Sequence, residues 1–270
     1  MAQSVTAEVG QMLHERITRI GPAPSVDHLT RFLRILGMWR SQMLANTYVA
    51  RQGGKIHQGL FAGMEYLTRA AEGALMPRLL GTYEDELHPY IRAFAAQGLD
   101  CVIDVGCAEG YYAVGLARLM PEVTVHAYDI SEQARKACAT LAAHNGVADR
   151  VTIGAEFTPE GFEAFAGRRV LVWLDAEGAE DDLLRPDISP SLAQMNLIVE
   201  THEMFRPGVL DRLMARFSPT HDIVRVDQQS KVVDMPGWMK DLSHMDQLMA
   251  VWEWRLGPTP WLVMTPKKKP

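Results

Sequence analysis

Apolar positions change period near residue 100 of this 270-residue chain. Before it they recur at helical spacing; after it they fall in short runs that close on acids or turns. The runs are Val102–Val105, Val123–Tyr128, Arg150–Ile153, Val170–Leu174, Asn196–Val199, Ile223–Val226 and Trp261–Thr265. Helical patterns stand between several of them, among them Glu132 to His144 and Pro207 to Phe217, the latter read with proline in its first turn. Strands alternating with helices predict a parallel sheet. The expectation is an α/β fold, a doubly wound, mostly parallel seven-stranded Rossmann-like sheet with an N-terminal helical extension. Residues 1–99 are expected to form that extension or lid, and residues 100–270 the domain built on the sheet.

Within the extension, an amphipathic stretch precedes Gly21-Pro22-Ala23-Pro24, and Val26 to Val49 places Leu29, Phe32, Leu33, Leu36, Met43 and Leu44 near one helical stripe. The segment Arg51 to Lys55 breaks that run; an extended or turn segment over Gln58 to Tyr66 and a further helix follow. These helices are expected to pack on the sheet or to carry a homo-oligomer contact.

The chemistry begins where the first strand ends. Val102-Ile103-Asp104-Val105-Gly106-Cys107-Ala108-Glu109-Gly110-Tyr111-Tyr112 is an apolar strand with an acid, running through a glycine-bracketed turn into a helix. Such a turn suits a nucleotide-like cofactor. A dinucleotide fingerprint needs glycine two positions after Gly106, where Ala108 stands, so NAD and FAD are disfavoured. No G-x-x-x-x-G-K-[ST] loop occurs, which disfavours ATP hydrolysis. The second strand closes on Asp129, 23 positions beyond Gly106, near the distance of about 20 at which an acid meets a ribose diol.

This segment resembles motif I of class I S-adenosylmethionine (SAM) methyltransferases, an acid on the first strand followed by G-x-x-x-G. The resemblance implies SAM as cofactor, with Asp104, Gly106 and Gly110 shaping the methionyl pocket beside Glu109 and Tyr111, and Asp129 on the ribose. It also places the loop after the third strand beside the adenine, where Glu156 is either an acceptor for the exocyclic amine or a plain surface acid.

The fourth strand runs into Asp175-Ala176-Glu177-Gly178-Ala179-Glu180, and the fifth into Glu200-Thr201-His202-Glu203. Ligands of open α/β sheets lie beyond the carboxyl ends of the strands, so both segments should face the crevice. Their order resembles FkbM-type methyltransferases, known for O-methylation of sugars and macrolide-like natural products, over Asp100 to Asp227. Upstream, Leu79-Leu80-Gly81-Thr82-Tyr83-Glu84-Asp85-Glu86-Leu87 is similar to a segment of a bacterial branch of that group.

A hydroxyl acceptor needs its proton removed, and His202, neutral near its ordinary pKa of about 6.5, is the candidate base. Asp175 or Glu200 would orient it. A second arrangement has Asp175, Glu177 and Glu200 holding Mg²⁺, which takes oxygen ligands and would acidify a bound diol. Glu180 is read as an acid in a helix's first turn, favoured there by the helix dipole. Trp238, Met239, Met245, Met249, Trp252 and Trp254 either line an apolar acceptor pocket or pack a core.

Composition narrows the field. A net charge of −6 and 47% hydrophobic residues suit a globular small-molecule enzyme and disfavour a nucleic-acid partner. The Asp/Asn-Pro-Pro-aromatic motif of nucleic-acid amino methylation is missing after the fourth strand. Three cysteines, Cys101, Cys107 and Cys138, without C-x-x-C spacing, and no long apolar run lead us to expect reduced thiols, no membrane partner and a cytoplasmic location. The expected function is methyl transfer from SAM to a hydroxyl of a small metabolite or sugar. N- or S-methylation, or a noncatalytic SAM-binding module, are the alternatives, with an NAD oxidoreductase further off.

Overall fold

In the computed structural model, residues 4–66 and 73–268 are described. Seven strands form one sheet: β1 (Cys101–Val105), β2 (Thr124–Tyr128), β3 (Val151–Gly154), β4 (Val170–Leu174), β5 (Asn196–Glu200), β6 (His221–Val226) and β7 (Trp261–Pro266). Their order is β3-β2-β1-β4-β5-β7-β6, and only β7 runs antiparallel to its neighbours. This is the doubly wound α/β arrangement expected from the alternating periods.

The helices are α1 (Val5–Ile20), α2 (Val26–Gln52), α3 (Leu75–Leu80), α4 (His88–Ala95), α5 (Tyr111–Leu119), α6 (Glu132–His144), α7 (Glu180–Leu183), α8 (Val209–Phe217), α9 (Gly237–Lys240) and α10 (His244–Val251). Ser25 and His28 close a capping box on α2: the Ser25 hydroxyl accepts the His28 amide while His28 Nδ1 accepts the Ser25 amide. Gly53 ends the helix at a positive φ of 74°. The helix expected after Tyr66 begins at Leu75, with residues 67–72 outside the described part. Pro207 precedes α8 instead of entering its first turn, because Gly208 takes the N-cap in the left-handed region, at φ 78°.

Strands β1, β4 and β5 are buried on every residue, as continuous apolar runs require when helices cover both faces. Side chains alternate between two cores. Val102, Leu171, Trp173 and Ile198 face α2 to α6, whereas Ile103, Val172, Leu174 and Val199 face α8 and the short turns near Phe162 and Leu192. Each fully buried large side chain contributes about 1.5–3 kcal/mol, which makes this central ribbon the rigid support for whatever its end carries.

The sheet's reversal point lies between β1 and β4. Sequence runs outward from β1 through β2 and β3, then resumes on the other side at β4, which puts the switch point, where open α/β sheets bind ligands, at the carboxyl ends of these two strands. Registers align those ends: Val105 pairs with Leu174, and Leu174 with Val199, so the next residues, Asp175 and Glu200, fall side by side.

Much of the aromatic and methionine-rich segment packs against the core through Trp238, Met239 and Met249, whereas Met245 is exposed. A Cβ on Gly37 of α2 would lie 2.9 Å from Trp252 Cζ3 and 3.3 Å from Met249 Sδ, so the missing side chain lets α10 and its exit close on α2. Met239 is fully buried, and the Arg51 guanidinium lies 4.9 Å over the Trp238 ring. Among the described residues, no helix is long and apolar enough to cross a membrane.

Candidate active site

The turn after β1 is built almost wholly from backbone. The Gly106 and Cys107 amides both donate to the Tyr128 carbonyl at 2.9 and 3.0 Å, tying the turn to the end of β2. Gly106 sits at φ 84°, and a Cβ there would lie 1.7 Å from the Asp175 carbonyl oxygen. Gly110, at φ 93°, would bring a Cβ within 2.7 Å of Cys138 Sγ. Both glycines are therefore required by close approach to β4 and α6. The turn and the end of β4 are thus in contact.

Asp129 clamps this turn. Its carboxylate accepts the Ala108 amide at 2.9 Å and the Ser131 amide at 2.7 Å, one on each oxygen, and each oxygen keeps a further lone pair. A half-exposed acid so fixed at the end of β2 fits a ribose diol. Asp104, one residue before the end of β1, is buried, and neither of its oxygens closes a well-formed hydrogen bond. Burial and the Asp129 charge push its carboxyl up to about 8, with the nearby Ala113 amide offsetting this only in part. An orphaned buried acid beneath the turn fits the ammonium end of a methionyl group.

The remaining residues expected near the cofactor are placed differently. Glu109 is buried, accepts from Tyr66 Oη and lies 3.6 Å from an Arg78 nitrogen, so residues of the N-terminal extension hold it. Tyr111 is buried among Phe61, Tyr66, Tyr83 and Tyr112, all edge-on at 5.1–5.6 Å. Glu156 is exposed past the end of β3. Cys107 is buried beside Cys138, and that contact together with burial raises its thiol, consistent with packing.

Across the crevice the chemistry is carried by side chains. His202 Nδ1 lies 2.7 Å from Glu180 Oε1, and its Nε2 faces Glu177 Oε2 at 3.4 Å and Asp175 Oδ1 and Glu200 Oε2, both at 3.6 Å. Burial alone would lower the imidazole pKa. The Glu180 hydrogen bond and the charges of Glu200, Glu180 and Glu177 outweigh it and raise the value. Asp175 is pushed well above the ordinary carboxylate range by burial first, then by Glu200 and Glu84.

One expectation needs correction here. Glu180, not Asp175 or Glu200, orients His202, because Asp175 and Glu200 sit at the opposite ring nitrogen. Glu180 does stand in the first turn of α7, as expected, but it is fully buried there, and the same oxygen that meets His202 accepts the Gly178 amide at 3.0 Å. The tight turn at Gly178, φ 104°, swings the first residue of α7 back under the sheet end.

Several site residues went unrecognised in the sequence. Glu84, in the left-handed region at φ 51°, is buried and receives Tyr112 Oη at 2.7 Å and Arg255 Nη2 at 2.5 Å. Arg255 also pairs with Glu200 and, at 3.0 Å, with Glu253. Glu253 in turn accepts the Glu84 amide at 3.0 Å and meets Lys231 at 2.8 Å. Burial outweighs Arg255 and, with Glu200 and Glu253 nearby, holds the Glu84 carboxyl above its ordinary range. The Tyr112 ring stacks on Trp173 at 3.7 Å, which fixes where its hydroxyl delivers its proton. The alternation Trp252-Glu253-Trp254-Arg255 was the available signal, since period two puts both charges on one side.

No family model matches this chain, and no curated protein matches it. Solved structures similar to it include an O-methyltransferase from Bacillus cereus in complex with SAH, at TM-score 0.46 and 12% identity, covering 84% of this chain and 90% of that one. An O-methyltransferase from Streptomyces achromogenes in complex with SAM is similar at TM-score 0.44 and 12% identity, covering 67% and 81%. An rRNA methylase from Streptococcus thermophilus is similar at TM-score 0.44 and 17% identity, covering 68% and 97%.

Proposed function

We propose that this chain is a SAM-dependent methyltransferase that places the methyl group on a hydroxyl oxygen of a small metabolite or sugar. The observation that carries the reading is the contact between two different half-sites. A backbone turn clamped by Asp129 over the orphaned Asp104 abuts, through Gly106 and the Asp175 carbonyl, a rim of Asp175, Glu200 and His202. The first half suits a zwitterionic nucleoside; the second suits a group that must lose a proton.

Bound SAM supplies a methyl group on a positively charged sulfur. Asp129 would hold the ribose and Asp104 the ammonium end. On the other side the rim receives the acceptor hydroxyl and draws off its proton. As that oxygen forms its bond to the methyl carbon, the carbon–sulfur bond breaks with its electrons staying on sulfur, leaving a methyl ether, the demethylated nucleoside and one proton. Burial of the rim keeps the acceptor aligned and limits competing water.

The test is incubation of the chain with methyl-labelled SAM and a panel of hydroxylated, amine and thiol acceptors. Label should appear as an ether, and His202→Ala should lower kcat by about 10²–10⁴-fold, the range for loss of proton-transfer assistance. A variant that keeps most of its rate on an amine or thiol would replace O-transfer with N- or S-transfer. SAM binding without turnover of any acceptor would favour a noncatalytic module.

A further inference from the structure

We infer that Asp175, Glu200 and His202 form a binding site for one divalent transition-metal cation. The inference deepens the methyltransferase reading and rests on it for the cation's role in transfer, but not for its binding.

Acceptor atoms face one another here. In the neutral ring, Glu180 takes the proton of His202 Nδ1 at 2.7 Å, and Nε2 carries the lone pair that a cation would bind. Nε2 faces carboxylate oxygens of Asp175, Glu177 and Glu200 at 3.4–3.6 Å. Asp175 Oδ1 is buried without any partner. The His202 and Glu200 side chains are each only 6% exposed, so water does not satisfy them freely. Acceptors converging at a largely buried point call for a positive charge between them, which a protonated imidazole supplies when no ion is bound and a cation supplies when the ring is neutral.

The geometry fits an ion. One ligand atom from each of Asp175, Glu200 and His202 lies within 4.8 Å of the others, and two of the separations are 3.6 Å. Ligands at about 2.0–2.2 Å from a shared cation stand roughly 3–3.6 Å apart. The remainder of the site follows the usual supporting pattern, with a carboxylate, Glu180, fixing the ring of the ligating histidine. Arg255 on the other oxygen of Glu200 does the same for that ligand. The mixed set of one imidazole and two carboxylates differs from the all-oxygen set expected for Mg²⁺, and it favours Mn²⁺, Fe²⁺ or Zn²⁺. Glu177, 59% exposed, stands at the outer edge, where it could carry a proton from a cation-bound hydroxyl to solvent.

The test is Mn²⁺ titration of the full chain stripped by chelator, read by loss of the free-ion electron paramagnetic resonance signal. One Mn²⁺ per chain should bind, and an equal concentration of Mg²⁺ should not displace it. Glu200→Gln and His202→Gln should weaken binding by more than about 100-fold, and Glu180→Gln by about 10–100-fold. Glu203→Gln, whose carboxylate caps the Gly208 and Leu210 amides outside the cluster, should leave it unchanged. Because a substitution at a buried site can unfold the chain, the wild type gives a second readout: bound Mn²⁺ should broaden the ring signals of His202 before those of His88 and His221. No binding at millimolar Mn²⁺, or binding that survives in Glu200→Gln and broadens other histidines first, would overturn the site. Mg²⁺ displacing Mn²⁺ at parity would overturn the metal class. SAM calorimetry on the same sample separates the two claims, since SAM heat without Mn²⁺ binding sinks only the cation, and the reverse sinks only the methyltransferase.

Discussion

The two sides of the crevice are made of different material. Beyond β1 and β2 the chain offers backbone amides, two glycines in the left-handed region and a clamping acid, all within 24 residues from Gly106 to Asp129. Beyond β4 and β5 it offers a dense set of ionisable side chains, with Glu84 and Arg255 arriving from segments 171 residues apart. A backbone-built half depends on local conformation and tolerates little change in shape. A side-chain-built half depends on charge balance and tolerates little change in charge.

The largest effect expected from that contrast is on shape. Gly106→Ala introduces a Cβ 1.7 Å from a backbone oxygen at a φ that L side chains rarely adopt, and neither strand can retreat. Loss of more than about 4 kcal/mol, read by urea unfolding, is expected. A mild loss would mean that the turn is not packed as described.

Charge balance is next. Arg255→Leu leaves the buried Glu84, Glu200 and Glu253 without their shared cation and should destabilise the fold by about 3–5 kcal/mol. Adding Glu84→Gln should recover part of that loss, whereas the same addition to Gly106→Ala should recover none. Equal rescue of both would erase the distinction between the halves.

Asp104 is the exception on the backbone side and gives a pH signature. Its folded pKa, about 8, lies above its ordinary 3.8, so between those values the folded chain keeps a proton that the unfolded chain has released. The stability it contributes is present at low pH and lost as pH rises, at about 1.4 kcal/mol per pH unit across that window. Asp104→Asn should flatten the wild-type slope by that amount in denaturant titrations run from pH 4 to 8. An unchanged slope would show that Asp104 is not orphaned.

The smallest effect is expected from Tyr112→Phe, which keeps the stack on Trp173 and removes only the hydroxyl on Glu84. A loss of about 1.5–3 kcal/mol is expected for a hydrogen bond to a charged group, approaching the lower bound if Glu84 holds a proton.

This division also explains what could be read from the sequence. Strand β4 was legible to the residue because a strand buried on both faces must be apolar throughout, and the glycine turn because its conformation admits few residues. Asp175, Glu200 and His202 were legible as strand-end residues, since strand ends in such sheets meet at a crevice. Their partners were not. Glu180 looks like an ordinary first-turn acid, and only the bend at Gly178 turns it inward to His202. Arg255 sits in a tryptophan-rich stretch whose evident role is packing, and two of its three carboxylate partners, Glu84 and Glu200, come from distant segments. Charge pairing at long range leaves no period in a sequence, whereas burial and backbone shape do.

The central claim is that the Asp129-clamped turn and Asp104 together hold the sulfonium nucleoside. Isothermal calorimetry with SAM on folded protein freed of carried-over ligand tests it most directly. The account predicts saturable binding of one SAM per chain, lost when Asp129 becomes Ala and kept when His202 becomes Gln. Absence of heat at millimolar SAM, or binding indifferent to Asp129, would contradict it.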